Sequence, residues 1–109
     1  MRHTMKLFAV ATITLALTPA SAFSDELAEK GKLVFTQQAQ PSCTICHTLA
    51  DAGAAGAIGP NLDELRPTEE QVRNAVTTGV GVMPSFSETL SEEQIRAVAR
   101  YVSSVTASQ

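Results

Sequence analysis

Apolar residues recur at helical spacing in two stretches, and start signals mark three helices along the chain. In the first, residues 24–38, Leu27, Gly31, Val34 and Phe35 fall on one face, which is predicted to be core. The Ser24 hydroxyl can cap this helix, and Asp25 and Glu26 lie against the positive end of its dipole. Gly31 weakens a helix interior, so its presence there points to close approach by another element. The second helix is announced by Thr68-Glu69-Glu70-Gln71, a capping-box pattern just after Pro67, and stops at Gly79. Ser91-Glu92-Glu93-Gln94 repeats the device and opens a third helix, expected to end near Val105, with Ile95, Val98, Ala99, Val102 and Val105 facing inward. Residues 51–59 are rich in Ala and Gly, show no periodicity and read as a loop. No useful length alternates with period two, so the expected fold class is all-α.

The apolar pattern at the N-terminus is of another kind. Arg2 and Lys6 form a basic start, residues 7–17 are an apolar run, and Ala20-Ser21-Ala22 supplies the small residues a signal peptidase needs. Residues 1–22 are therefore expected to be a secretory signal peptide, with one domain over 23–109 and a periplasmic destination. The run is too short to cross a hydrocarbon core of about 30 Å as a helix. No membrane span is expected after cleavage, and an uncleaved anchor is the alternative. Cleavage removes two of the eight basic residues and none of the eleven acidic ones, so the net charge passes from −3 to −5. Nucleic acid and anionic lipid, both held mainly through Lys and Arg, are disfavoured as partners, and a basic-faced protein is favoured. A chain this short buries only about 60% of its unfolded surface and leans on a staple or a cofactor for the rest of its core.

Cys43-Thr44-Ile45-Cys46-His47 has the spacing of a c-type haem attachment motif. Two intervening residues let one helical turn present both sulfurs to neighbouring haem vinyl groups, and the adjoining His is left to face the iron. Three other readings compete. A thioredoxin-like pair needs a strand–helix–strand context that the pattern lacks; zinc needs another ligand; and a structural disulfide closing so small a loop would constrain little. Export agrees with the haem reading, since covalent attachment in bacteria takes place outside the cytoplasmic membrane. Removing residues 1–22 leaves one His and one Met in the chain. With His47 taken by the motif, Met83 is the candidate sixth ligand, and His/Met ligation raises the potential of electron-transfer haems. Its setting, Gly79-Val80-Gly81-Val82-Met83-Pro84, is a loop rather than a helix face, although Met is also a common core filler. Two protein ligands leave no open position on the iron, so the expected role is electron transfer and not catalysis.

Together these residues resemble the class I cytochromes c over roughly residues 26–105. The resemblance implies the small all-α fold of that family, three main helices and loops wrapped around one covalently bound haem c. It also implies that the Pro60 carbonyl accepts the His47 ring proton and that Leu62 packs on the haem, where Gly-Pro-Asn would otherwise be an ordinary turn. Gly31, Phe35 and Tyr101 would join the first and last helices, the other reading of Tyr101 being a residue at the edge of its helix face. More narrowly, residues 46–53, 59–65 and 79–86 look like loops of cytochrome subunits and electron acceptors of bacterial sulfite dehydrogenases. This implies a redox protein partner, a molybdenum sulfite dehydrogenase, with a downstream cytochrome or oxidase receiving the electron. The small apolar residues Ile45, Val80 and Val82, with Thr44, suit a brief encounter with such a partner. A permanent subunit of the dehydrogenase, or a haem sensor or enzyme with a labile Met83, is the alternative.

Overall fold

The computed structural model describes residues 4–17 and 22–107, the side chains of 22–25 excepted. The expected Ser24 cap, the Asp25 carboxylate and most of the expected cleavage site fall outside those residues. Residues 4–17 are exposed and form neither helix nor strand. Among the described residues no helix is long and apolar enough to cross a membrane.

The helical stretches appear where the pattern puts them. Helix α1 spans Ala22–Leu33, starting two residues ahead of Ser24, and continues into a single π-type turn, Val34–Gln38. There the Ala39 N–H reaches the Val34 carbonyl at 2.9 Å. The expected end at Gln38 is right, but no residue type announces the wider pitch of the last turn. Two one-turn helices follow, α2 (Cys43–Cys46) and α3 (Leu62–Leu65), then α4 (Glu69–Thr78) and α5 (Glu92–Ala107). Both expected capping boxes form. Gln71 N–H donates to Thr68 Oγ1 at 3.1 Å and Thr68 N–H to Gln71 Oε1 at 2.9 Å. The corresponding bonds between Gln94 and Ser91 measure 3.1 and 2.8 Å.

Helix α5 packs against both α1 and α4. At the α1–α5 crossing a Cβ on Gly31 would lie 2.0 Å from the Ala97 carbonyl oxygen and 2.6 Å from Tyr101 Cβ, which explains the glycine. Beside it the Phe35 and Tyr101 rings meet edge to face with centroids 6.0 Å apart, a favoured aromatic geometry. Val34, Phe35, Val98 and Val102 are buried there, each worth about 1.5–3 kcal/mol of transfer free energy.

The all-α expectation holds with one addition. Thr48–Leu49 (β1) pairs antiparallel with Ala54–Ala55 (β2), Leu49 opposite Ala54; β2 lies inside the segment 51–59 expected to be loop and β1 just ahead of it. Two-residue strands carry no alternation to detect. Gly53, at φ 63°, turns the chain between them.

Candidate haem site

Helix α2 is set by Ser42, whose hydroxyl accepts from the Thr44 N–H at 3.4 Å and donates to the Phe35 carbonyl at 3.2 Å. The turn closes with His47 N–H on the Cys43 carbonyl at 3.0 Å. One helical turn therefore carries both cysteines and delivers His47 at its end, tied by Ser42 to the final turn of the first helix.

The His47 ring lies between two features of the next segment. Gly59 packs flat against it, since a Cβ there would sit 2.7 Å from Cε1. Nδ1 is 2.8 Å from the Pro60 carbonyl oxygen. A carbonyl only accepts, so Nδ1 carries the proton and Nε2 keeps the lone pair a metal would use. Asn61 then caps α3, its Oδ1 accepting from the Asp63 and Glu64 N–H groups at 3.0 and 3.4 Å, and Leu62 follows, buried.

Met83 comes from the α4–α5 connection. Val80 and Met83 exchange backbone hydrogen bonds of 3.1 and 2.9 Å across a turn that has Gly81 at φ 56°. Gly79, at φ 73°, ends α4 and passes so close to Met83 and Ser85 that a Cβ would be 2.7 Å from the Met83 carbonyl. On the far side, Ser85 Oγ donates to the Thr77 carbonyl at 2.6 Å and Phe86 N–H to the Val76 carbonyl at 2.9 Å. The Met83 turn is thus fastened to α4 at both ends.

These elements enclose a cleft of about 550 Å³, within the size range of small-molecule and cofactor sites. Cys43, Cys46, His47, Pro60, Leu62 and Met83 all line it. Sequence reasoning did not assign its walls: Phe35, Pro41, Val72, Val76, Phe86 and Val98 are apolar residues read only as core, or not singled out. Nor did it give Gly59 a role against the His47 ring. Among the described residues no Asp, Glu, Lys or Arg lines the cleft.

The donor set fits haem and little else. Among the described residues no three His, Cys, Asp or Glu side chains are placed to hold a metal ion, so a bare ion has no cage. A porphyrin brings four nitrogen ligands of its own and asks the protein for one or two more. Cys43 and Cys46 are both free and half-buried. Burial, seconded by the charge of neighbouring Cys46 and opposed by a backbone hydrogen bond, pushes the Cys43 thiol up to about 11. The fold has no strand–helix–strand unit around the pair, the context a thioredoxin-like couple needs.

Comparison with known proteins agrees with this chemistry. Residues 26–102 match the family model described as cytochrome C oxidase, cbb3-type, subunit III. The crystal structure of the c-type cytochrome SorU from Sinorhizobium meliloti superposes with a TM-score of 0.73 at 50% identity, covering 75% of this chain and 93% of that one. No curated protein gave a significant match. The match over most of the chain, in sequence and in fold, makes it a member of the cytochrome c family of class I type, a haem c protein that carries electrons.

Proposed function

We propose that this cytochrome holds one haem c through thioether bonds from Cys43 and Cys46, with His47 and Met83 as axial ligands, and works in the periplasm after loss of residues 1–22. It takes single electrons from a redox protein, a molybdenum sulfite dehydrogenase, and passes them to a downstream cytochrome or oxidase. The observation that carries the reading is one uncharged, apolar cleft lined by two cysteines and a histidine from α2 and its end and by a methionine from the α4–α5 connection. When bound, the haem supplies a one-electron couple. The chain's part is to hold and tune it. His47 is fixed in one tautomer by Pro60, and Leu62, Val76 and Phe86 keep water from the cleft, favouring the less charged state. With His47 and Met83 both holding the iron, the group would supply electron transfer and no place for a substrate. The sulfite assignment rests on the resemblance of residues 46–53, 59–65 and 79–86 to cytochromes of sulfite dehydrogenases.

The test is ligation. Oxidised wild type should show the near-infrared band of sulfur–iron coordination at neutral pH. Met83→Ala should keep its haem, lose that band, bind carbon monoxide in the reduced form and have a lower reduction potential. A wild type without the band, or a variant spectrally identical to it, would remove Met83 from the iron and favour a haem sensor or enzyme.

A further inference from the structure

Two arms of chain meet at His47. One leaves it through β1 towards Ala50; the other brings in Pro60 and turns at Asn61 into α3. Around His47 they are joined by Gly59 N–H to the Cys46 carbonyl at 2.7 Å and His47 Nδ1–H to the Pro60 carbonyl at 2.8 Å, with Gly56 N–H on the His47 carbonyl at 3.2 Å and Thr48 Oγ1–H on the Gly56 carbonyl at 2.9 Å just before them. On the α3 side of Pro60 lies one more. Ala50, three residues past His47, donates its N–H at 2.8 Å to Oδ2 of Asp63, three residues past Pro60. Asp63 is itself held in the first turn of α3 by Asn61, at 3.0 Å.

We propose that Asp63 is a positioning residue. It clamps the Pro60 arm to the His47 arm, fixes the Pro60 carbonyl on Nδ1, and so sets the donor strength of His47 toward the iron. The proposal deepens the haem reading above and rests on it. Its physical basis is that a firm Nδ1–H···O=C bond makes an imidazole a stronger donor and favours the ferric state. Releasing the far end of the clamp lets the two arms part and weakens that bond.

A carboxylate near the site could also act by charge alone, and side-chain chemistry separates the two. Asp63→Asn keeps an acceptor for the Ala50 N–H and loses the charge. Asp63→Ala loses both, and Asp63→Ser, too short to reach Ala50, replaces it if the Ala form yields no haem-loaded protein. Glu64→Gln removes a neighbouring exposed carboxylate from the same turn. The clamp predicts that Asp63→Ala or Asp63→Ser raises the Fe(II)/Fe(III) ratio at fixed poise about tenfold, equivalent to about 59 mV for a one-electron couple. It also predicts faster hydrogen exchange of His47 Nδ1–H by NMR in that variant. Asp63→Asn and Glu64→Gln should match wild type in both readouts. Equal potential shifts in Asp63→Asn, Asp63→Ala and Glu64→Gln, or unchanged exchange in the Ala or Ser form, would overturn the proposal. A wild type without thioether-bound haem would instead defeat the reading on which it rests.

Discussion

Tyr101 shows how one buried residue ties a loop to the helices. Its ring packs on Phe35 while its hydroxyl donates at 2.5 Å to Asp51 Oδ2, which also meets Lys32 Nζ at 3.3 Å. The Tyr101 hydrogen bond, with help from Lys32, holds the Asp51 carboxyl below its ordinary value of 3.8. Burial, followed by Asp51, raises the Tyr101 phenol above its ordinary 10.0. The depressed acid stabilises the fold above about 3.8 and loses that contribution as pH falls through its folded pKa. The raised phenol contributes below about 10.0 and is lost as pH rises through its own. Tyr101→Phe keeps the packing and should therefore cost about 1 kcal/mol at neutral pH. In denaturant melts the difference should shrink in acid; a constant gap from pH 7 to pH 3 would mean that the hydroxyl does not act through Asp51. Residues whose chemistry is in their type, such as the two cysteines and His47 in a fixed spacing, were legible from sequence. Gly59, Asn61 and Asp63 were not given roles there, because their importance is where they stand relative to His47, which only the fold determines.

Among elements, the three long helices were legible because the first and last show an apolar period, and the second and last have caps that the structure reproduces. The π-type turn at Val34–Gln38 and the strands Thr48–Leu49 and Ala54–Ala55 were not. They are too short to show a period and are fixed by neighbours: Phe35 reaches the cleft from the first, and Leu49, with no exposure, is buried by the second. The crossing of α1 and α5 is the element contact most open to test. Gly31→Ala would drive a Cβ into the Ala97 backbone, which cannot rotate away, so the helices must separate. Overpacking of this kind should cost about 3 kcal/mol and lower Tm by more than about 10 °C in a domain of this size. A melt within about 3 °C of wild type would mean that the crossing is looser than the structure has it.

For the whole molecule, the placement of charge matters more than its sum. Only Asp51 is charged between residues 36 and 62, and no residue is charged from 74 to 87. These segments supply most of the cleft's lining, where Ile58, Val80 and Val82 are more than half exposed, as is Leu65 on the intervening turn; Ile45, also more than half exposed, stands beside the two cysteines. Acidic residues gather instead in the first turns of α4 and α5, at Glu69, Glu70, Glu92 and Glu93. The acidic excess can still attract a basic partner at long range, but the rim offers few charged groups at contact, chiefly Glu64 and Arg66 on either side of Leu65. Bimolecular electron transfer from a sulfite dehydrogenase should then fall with salt, but by less than about tenfold between roughly 0.01 and 0.15 M. A hundredfold fall would place charged groups in the contact itself. The central claim, one haem fixed to this chain by two thioether bonds, is tested most directly by the intact mass of the protein purified from the periplasm and measured in denaturant. The account predicts a single species whose mass is that of residues 23–109 plus one haem, with no free thiol. A haem-free chain, with two free thiols or with a Cys43–Cys46 disulfide two hydrogens lighter, would contradict it.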